Sequence, residues 1–276
     1  MSFEKVGTTA FVIAQWRAEE AENPAAVCLD HIANIFINEE MRNLAIKVAK
    51  ASPSTSFLVK FRTHYFDDLI LSSTDNGIKQ IIILGSGLDT RPIRLGTKDV
   101  RFFEIDQEHV FKFKREALSK FGYKESSDFI PCDYTSDDFI GLLTEKGVDF
   151  SQETFFLWEG NIFYLPYAMS LDVLNKINSH FENVKISFDY LSQKLIQQAT
   201  GYQKSNDLLD SFSSMGAPWQ TGIENVEAFA NECGFQVHEN FLIANYINEK
   251  FPSFRVDENL LDDYFICILS STKTSS

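Results

Sequence analysis

Residues 80–95, QIIILGSGLDTRPIRL, constrain the fold more than any other stretch. Ile81, Ile82, Ile83 and Leu84 run without a polar break and stop at Gly85-Ser86-Gly87, the pattern of a strand buried on both faces that empties into a glycine turn. Strands of this kind belong to parallel sheets, and in an open α/β sheet ligands bind in the crevice beyond the carboxyl ends of the strands. Glycine at that point lets the backbone approach a ligand that a Cβ would push away. The turn therefore reads as a nucleotide-binding floor.

The flanking chain repeats strand, loop and helix. After the turn signal Asp75-Asn76-Gly77 come a strand over 78–84 and a second over 101–105 that ends at Asp106. A helix over 107–121 sets Val110, Phe113, Ala117 and Phe121 on one face. A short strand at Phe129-Ile130 leads into Pro131-Cys132-Asp133-Tyr134, and Ser136 can cap the next helix. A fourth strand over 154–158 ends at Glu159-Gly160. In a fifth, over 184–190, Val184, Ile186 and Phe188 alternate with Lys185, Ser187 and Asp189. This order predicts a doubly wound α/β domain.

Upstream, residues 1–75 read as a helical extension packed on a core of 76–276. Asn23-Pro24 starts a helix through Ile37, a second covers 39–50, and Ser52-Pro53-Ser54 breaks the pattern. Phe57, Leu58, Phe61, Tyr65 and Leu69 then mark one buried stripe of a helix over 57–71, with Arg62 on its edge. Downstream, residues 191–222, with a loop at Met215-Gly216-Ala217-Pro218-Trp219, read as a lid or substrate wall. Val226, Phe229, Ala230 and Cys233 have helical spacing, and Gly234 ends that helix. Two last strands, over 235–241 and 264–269, have no strong helical pattern between them and are expected to pair as an antiparallel addition to the sheet. The polar end from Ser270 to Ser276 is expected to fray.

Composition narrows the function. With 276 residues, 44% of them hydrophobic, the chain is globular. Its 39 acidic residues outnumber 25 basic ones, and a formal net charge of −14 disfavours nucleic acid and anionic membrane as partners. The first residues lack the layout of a secretory signal, and no apolar stretch nears the roughly 20 residues that span a bilayer. A soluble, cytoplasmic protein is expected. Cys28, Cys132, Cys233 and Cys267 are scattered, which suits buried free thiols. His31, His64, His109, His180 and His238 show no metal-ligand spacing, so no metal site is expected. The absence of a Gly-x-Ser-x-Gly elbow argues against acyl-enzyme chemistry. The 26 phenylalanines follow the expected core faces.

A two-glycine turn is by itself a weak signal. Asp106 strengthens it, lying about 20 residues on at the end of the next strand, where an acid can accept hydrogen bonds from both ribose hydroxyls. A dinucleotide fingerprint would place a third glycine where this chain has Thr90, with Pro92 following, and the phosphate-binding lysine of a P-loop is missing. A nucleoside without phosphates fits better, and S-adenosylmethionine is the common one. Local rivals stand beside these readings. Asp106 can cap the helix at Gln107, Asp133 can cap a turn, and Arg62 can lay its stem on the apolar stripe and pair with a surface acid. Glu159 ends a buried strand, where an unpaired carboxylate is costly, so a charged partner such as a sulfonium or ammonium is expected.

The ordered set Leu84-Gly85-Ser86-Gly87-Leu88-Asp89-Thr90-Arg91, Phe103-Glu104-Ile105-Asp106-Gln107, and Glu159-Gly160 followed by Tyr164-Leu165-Pro166 resembles the leucine carboxyl methyltransferase family, especially its bacterial branch of S-adenosylmethionine-dependent O-methyltransferases. Thr9-Ala10 with Arg17-Ala18 and Glu20, and Arg62-Thr63 with Phe66-Asp67-Asp68, add to the likeness, which runs over about residues 6–234. Ser86, where alanine is usual, and Trp158-Glu159-Gly160-Asn161 depart from the pattern.

The resemblance implies a Rossmann-like class I methyltransferase: a mostly parallel seven-stranded sheet with an antiparallel C-terminal strand and an N-terminal helical extension. It implies S-adenosyl-L-methionine as cofactor, with S-adenosyl-L-homocysteine as product, and a small-molecule or peptide-end acceptor methylated on a carboxylate or hydroxyl. Carried over by position, Gly85 and Gly87 would floor the cofactor site, with Ser86, Asp89 and Gln107 beside them. Asp106 would hold the ribose, while Asp133 and Tyr134 would flank the adenine. Glu159 would face the methionine portion, and Arg62 the carboxylate of cofactor or substrate. Arg62 and Tyr164 are the positioning candidates. No base is assigned, although His64, Tyr164 or Glu159 could serve a hydroxyl acceptor. An NAD-dependent oxidoreductase and a non-catalytic cofactor-binding protein remain open alternatives.

Overall fold

The computed structural model describes residues 7–51, 53–214, 216–254 and 262–271. The chain start used in the leader argument, Ser52 of the break, Met215 of the loop and residues 272–276 of the tail lie outside the described residues.

Seven strands form one sheet: β1 (Gln80–Leu84), β2 (Arg101–Asp106), β3 (Asp128–Pro131), β4 (Thr154–Trp158), β5 (Val184–Leu191), β6 (Phe235–Leu242) and β7 (Tyr264–Ser271), in the order β3-β2-β1-β4-β5-β7-β6. β1 to β5 run parallel, and β7 inserts antiparallel to both β5 and β6. β1 and β4 are buried throughout, which is why they read as the unbroken runs IIIL and FFLW. The chain leaves β1 towards β2 and β3 on one side and returns as β4 on the other. The strand order therefore reverses between β1 and β4, and a crevice opens beyond their carboxyl ends.

The N-terminal region is built differently from the expectation. Its first helix, α1 (Thr8–Ala21), carries no apolar stripe because it is buried on several sides, with Gln15, Arg17 and Glu20 as covered as Phe11 and Trp16. No helix runs from Asn23 to Ile37. Asn23 Oδ1 instead accepts from the Ala25 amide at 3.0 Å in a local turn, and Asp30 caps a short 3₁₀ helix, His31–Phe36, by accepting from the Ala33 amide. Then come α2 (Glu39–Ala51) and α3 (Pro53–Asp75). α3 buries Arg62, Thr63, Phe66 and Asp67 together with Phe61, so Arg62 sits inside the protein and not on the edge of a stripe.

After the one-turn α4 (Arg91–Arg94), α5 (Glu108–Lys120) packs Val110, Phe113 and Ala117 into a cluster with Phe11 and Phe36, while Phe121 falls past the helix end and is exposed. α6 (Phe139–Glu145) is capped by Asp138, which accepts from the Gly141 amide, so Ser136 is not the cap. α7 (Tyr167–His180) crosses to β5. There Ser187 and Asp189 are as buried as Ile186 and Phe188, since β5 is an interior strand covered on both faces. α8 (Gln193–Ile196) and α9 (Gln203–Ser214) occupy the 191–222 stretch, and α10 (Val226–Glu232) precedes β6. An unexpected α11 (Ile243–Lys250) lies between the last two strands, anchored by Ile243 and Ile247. Ser270 and Ser271 belong to β7 and are not frayed. All four cysteines are free and buried, and burial pushes the thiols of Cys28, Cys132 and Cys233 up to about 12. Among the described residues no helix is long and apolar enough to cross a membrane.

Candidate active site

The glycine turn is held from three directions. Gly85 and Gly87 adopt φ of +61° and +52°, and the Ser86 amide donates to Ile105 O at 3.1 Å, tying the turn to β2. A Cβ on Gly85 would stand 2.4 Å from Asn161 Oδ1. Asn161 cannot move aside cheaply, because its Nδ2 donates to Leu84 O (3.3 Å), Gly85 O (3.2 Å) and Glu159 O (2.7 Å), lacing the ends of β1 and β4 together. From the third side, Asp106 Oδ2 accepts from the Gly87 amide and Oδ1 from the Gln107 amide, each at 2.7 Å. Asp106 thus both steadies the start of α5 and grips the turn. Burial pushes its pKa up, opposed by those two amides.

A cavity of about 570 Å³ opens at this point, within the usual size of a small-molecule site. The structure brings Gly85, Ser86, Gly87, Asp89, Asp106 and Gln107 together with Arg62, Glu159 and Tyr164 in its lining. Ala217, Pro218 and Gln220, from the stretch expected to form a lid or substrate wall, also line it. Ser86 is among the lining residues, while its Oγ is covered and has no hydrogen-bond partner among the described residues.

Three candidates are not brought here. β3 is the edge strand, and the loop after it closes on itself: Asp133 Oδ1 accepts from the Thr135 amide (3.0 Å) and hydroxyl (2.6 Å), and the Asp133 amide donates to Asp137. The Tyr134 hydroxyl accepts from Trp158 Nε1 at 3.1 Å in the core. His64 lies on α3 beside Asp68 and the Phe251 ring, outside the cavity lining.

The third-glycine position is filled by Thr90, whose hydroxyl donates to Asp30 at 2.7 Å, and the helix that follows is only the single turn α4. The turn thus opens onto one helical turn instead of the long helix that a pyrophosphate-binding loop would open, in keeping with the adenosine reading.

Behind the cavity lies an ionic cluster that sequence reasoning missed. The Glu159 carboxylate is shared by Arg62 Nε and Arg91 Nη1, both at 2.7 Å, so its charged partners are the protein's own guanidinium groups. Arg91 also binds Asp67 and Asp89, each at 2.6 Å, and Arg94 binds Asp67 at 2.7 Å. Arg62 Nη1 donates to Asp189 Oδ2 at 2.9 Å and to the Tyr264 hydroxyl at 2.7 Å. Tyr264 in turn donates to Asp189, whose other oxygen accepts from the Gly160 amide at 2.6 Å. Arg17, from α1, donates to Leu88 O at 2.7 Å and braces the far end of the turn. Burial works against the Arg62 charge, but Tyr264, Glu159 and Asp189 outweigh it and hold its pKa above the ordinary value. A signal for Asp189 did exist. It follows Phe188, the last residue of β5 paired with β4, whose partner is Trp158, so it lies level with Glu159.

Comparison with known proteins identifies the family. The family profile described as "Leucine carboxyl methyltransferase" matches residues 10–178. A Mycolicibacterium smegmatis protein named "Putative S-adenosyl-L-methionine-dependent methyltransferase/" is 34% identical over 174 residues, and the match spans 58% of this chain and 58% of that protein. A Streptomyces coelicolor protein whose name gives the same activity is 30% identical over 235 residues, 77% of this chain and 78% of its own length. A crystal structure from Thermobifida fusca, described as that of "a putative methyltransferase", superposes with a TM-score of 0.64 at 16% identity, covering 98% of this chain and 96% of the other, which shows the shared fold. By its ordered motifs, its sheet and the profile match across α1 to α7, this chain belongs to the leucine carboxyl methyltransferase family.

Proposed function

We propose that this protein is an S-adenosylmethionine-dependent O-methyltransferase that methylates a carboxylate, or a hydroxyl, of a small molecule or peptide end. The observation that carries this reading is the Asp106 carboxylate, which grips the glycine turn at the strand-order reversal and retains acceptor capacity towards the cavity. Family membership and the names of the relatives support the same cofactor. When bound, the cofactor supplies an electrophilic methyl group. Gly85 and Gly87 would floor its site, Asp106 would take the ribose hydroxyls, and Arg62 would face its carboxylate. The assignment of Asp133 and Tyr134 to the adenine rests on the family likeness alone.

The chemistry of the lining favours a carboxylate acceptor, which is ionised at neutral pH and needs no base. Burial raises the Tyr164 pKa above its ordinary value, which keeps the hydroxyl a proton donor that can orient an acceptor. Glu159 is engaged by two arginines and His64 lies outside the lining, so neither is free to deprotonate a hydroxyl acceptor. The protein's task is then to hold the acceptor oxygen in line and exclude water. Calorimetry with S-adenosylmethionine and S-adenosylhomocysteine tests the cofactor, and failure of both to bind at millimolar concentration overturns it. With radiolabelled methyl donor and a panel of carboxylic acids and alcohols, a carboxylate product releases methanol in alkali. An alkali-stable product refutes the carboxylate preference.

A further inference from the structure

The Arg62 guanidinium is fixed on two of its three nitrogens: Nε by Glu159 at 2.7 Å, and Nη1 by Asp189 at 2.9 Å and the Tyr264 hydroxyl at 2.7 Å. Nη2 is different. It lies against Gly160, where a Cβ would come within 3.3 Å of it, and it takes no hydrogen bond among the described residues, while Arg62 lines the cavity. We infer that Tyr264 and Asp189 are positioning residues that turn the free Nη2 edge of Arg62 towards the anionic end of the bound cofactor. This rests on the cofactor reading above and adds two residues that lie beyond the stretch matched by the family profile.

The local bonding is complete only with both residues present. Tyr264 is fully buried; its hydroxyl proton goes to Asp189 and its lone pair accepts from Arg62, and burial keeps it protonated. Asp189 spends one oxygen on the Gly160 amide and the other on Arg62 and Tyr264. Arg62 and Gly160 are therefore held by the same carboxylate, and the fork cannot rotate without breaking at least one of these bonds. Because β7 inserts beside β5, with Leu191 paired to Tyr264, the antiparallel strand carries the hydroxyl to the end of the sheet where the cavity opens.

The test compares two ligands on the full chain. S-adenosylhomocysteine carries the amino-acid carboxylate, whereas 5′-methylthioadenosine keeps the adenosine and sulfur and lacks it. Calorimetry on Tyr264→Phe should show S-adenosylhomocysteine weakened by about tenfold, the scale of one hydrogen bond to a charged group. The affinity for 5′-methylthioadenosine should stay within about twofold. Asp189→Asn, which alters the other partner of the same Arg62 nitrogen, should give the same ligand-selective pattern and provides the reading if Tyr264→Phe does not fold. Equal loss for both ligands, or no loss for either, overturns the inference. A wild-type protein that binds neither ligand overturns the cofactor reading, and this inference with it.

Discussion

Gly85→Ala tests how the glycine turn is built. Two costs can be read from the geometry. At φ of +61° an L side chain is strained, which costs about 1–2 kcal/mol. The new Cβ would also lie 2.4 Å from Asn161 Oδ1, and Asn161 could yield only by giving up some of its bonds to Leu84 O, Gly85 O and Glu159 O. At about 1 kcal/mol each, that displacement costs roughly 1–3 kcal/mol. Alanine recovers about 0.4–1 kcal/mol by restricting the unfolded chain. The net expectation is a loss of about 2–4 kcal/mol, measured by urea unfolding followed by circular dichroism. In an Asn161→Ala background the clash is gone, and the same substitution should cost only about 1 kcal/mol, the backbone strain less the entropic gain. The difference between the two backgrounds is the coupling energy of the pair. Equal costs in both, or a loss below about 0.5 kcal/mol in the wild-type background, would refute the close approach of β1 and β4 through Asn161.

Three further outcomes are expected. Asp106→Ala should weaken S-adenosylhomocysteine binding by about 1.5–3 kcal/mol in calorimetry, and unchanged affinity in a folded variant removes Asp106 from the site. Lys114→Met strips the buried Glu104 of its cation, leaving it, among the described residues, only the Ser127 hydroxyl at 2.6 Å, and should cost about 3–5 kcal/mol in guanidinium unfolding. Burial already raises the Glu104 pKa, so its protonated form favours the folded state. Without Lys114, which lowers it, the Glu104 pKa rises further, so the deficit should shrink as pH falls from the variant's higher value towards that of the paired carboxyl, and a pH-independent deficit contradicts the pairing. Asp89 is the opposite case: burial disfavours its charge, but Arg91 prevails and holds its pKa below the ordinary 3.8. Its ionised form stabilises the fold above pH 3.8, and that contribution is lost as pH falls through the depressed value. Asp89→Asn should thus lower the melting temperature at pH 7 and converge on wild type in strong acid. A gap that persists there points to a packing effect.

What the sequence determined alone was local in origin. Unbroken apolar runs placed β1 and β4, because a strand covered on both faces needs no polar residue. Turn chemistry placed the floor at Gly85 and Gly87, and the length of one strand-loop-strand unit brought Asp106 beside it. Period-based reasoning failed where burial was not one-sided. α1 is covered all round and shows no stripe, and in β5 the alternation of Ser187 and Asp189 with Ile186 and Phe188 marks no difference in burial, since all four are buried. Only the tertiary structure decided the electrostatics of the site. Arg62 meets Glu159, Asp189 and Tyr264 across 97, 127 and 202 residues of chain, and ion pairing leaves no period in a sequence to announce it. The topology that sets β7 beside β5 is what makes Tyr264 part of the wall behind the cavity.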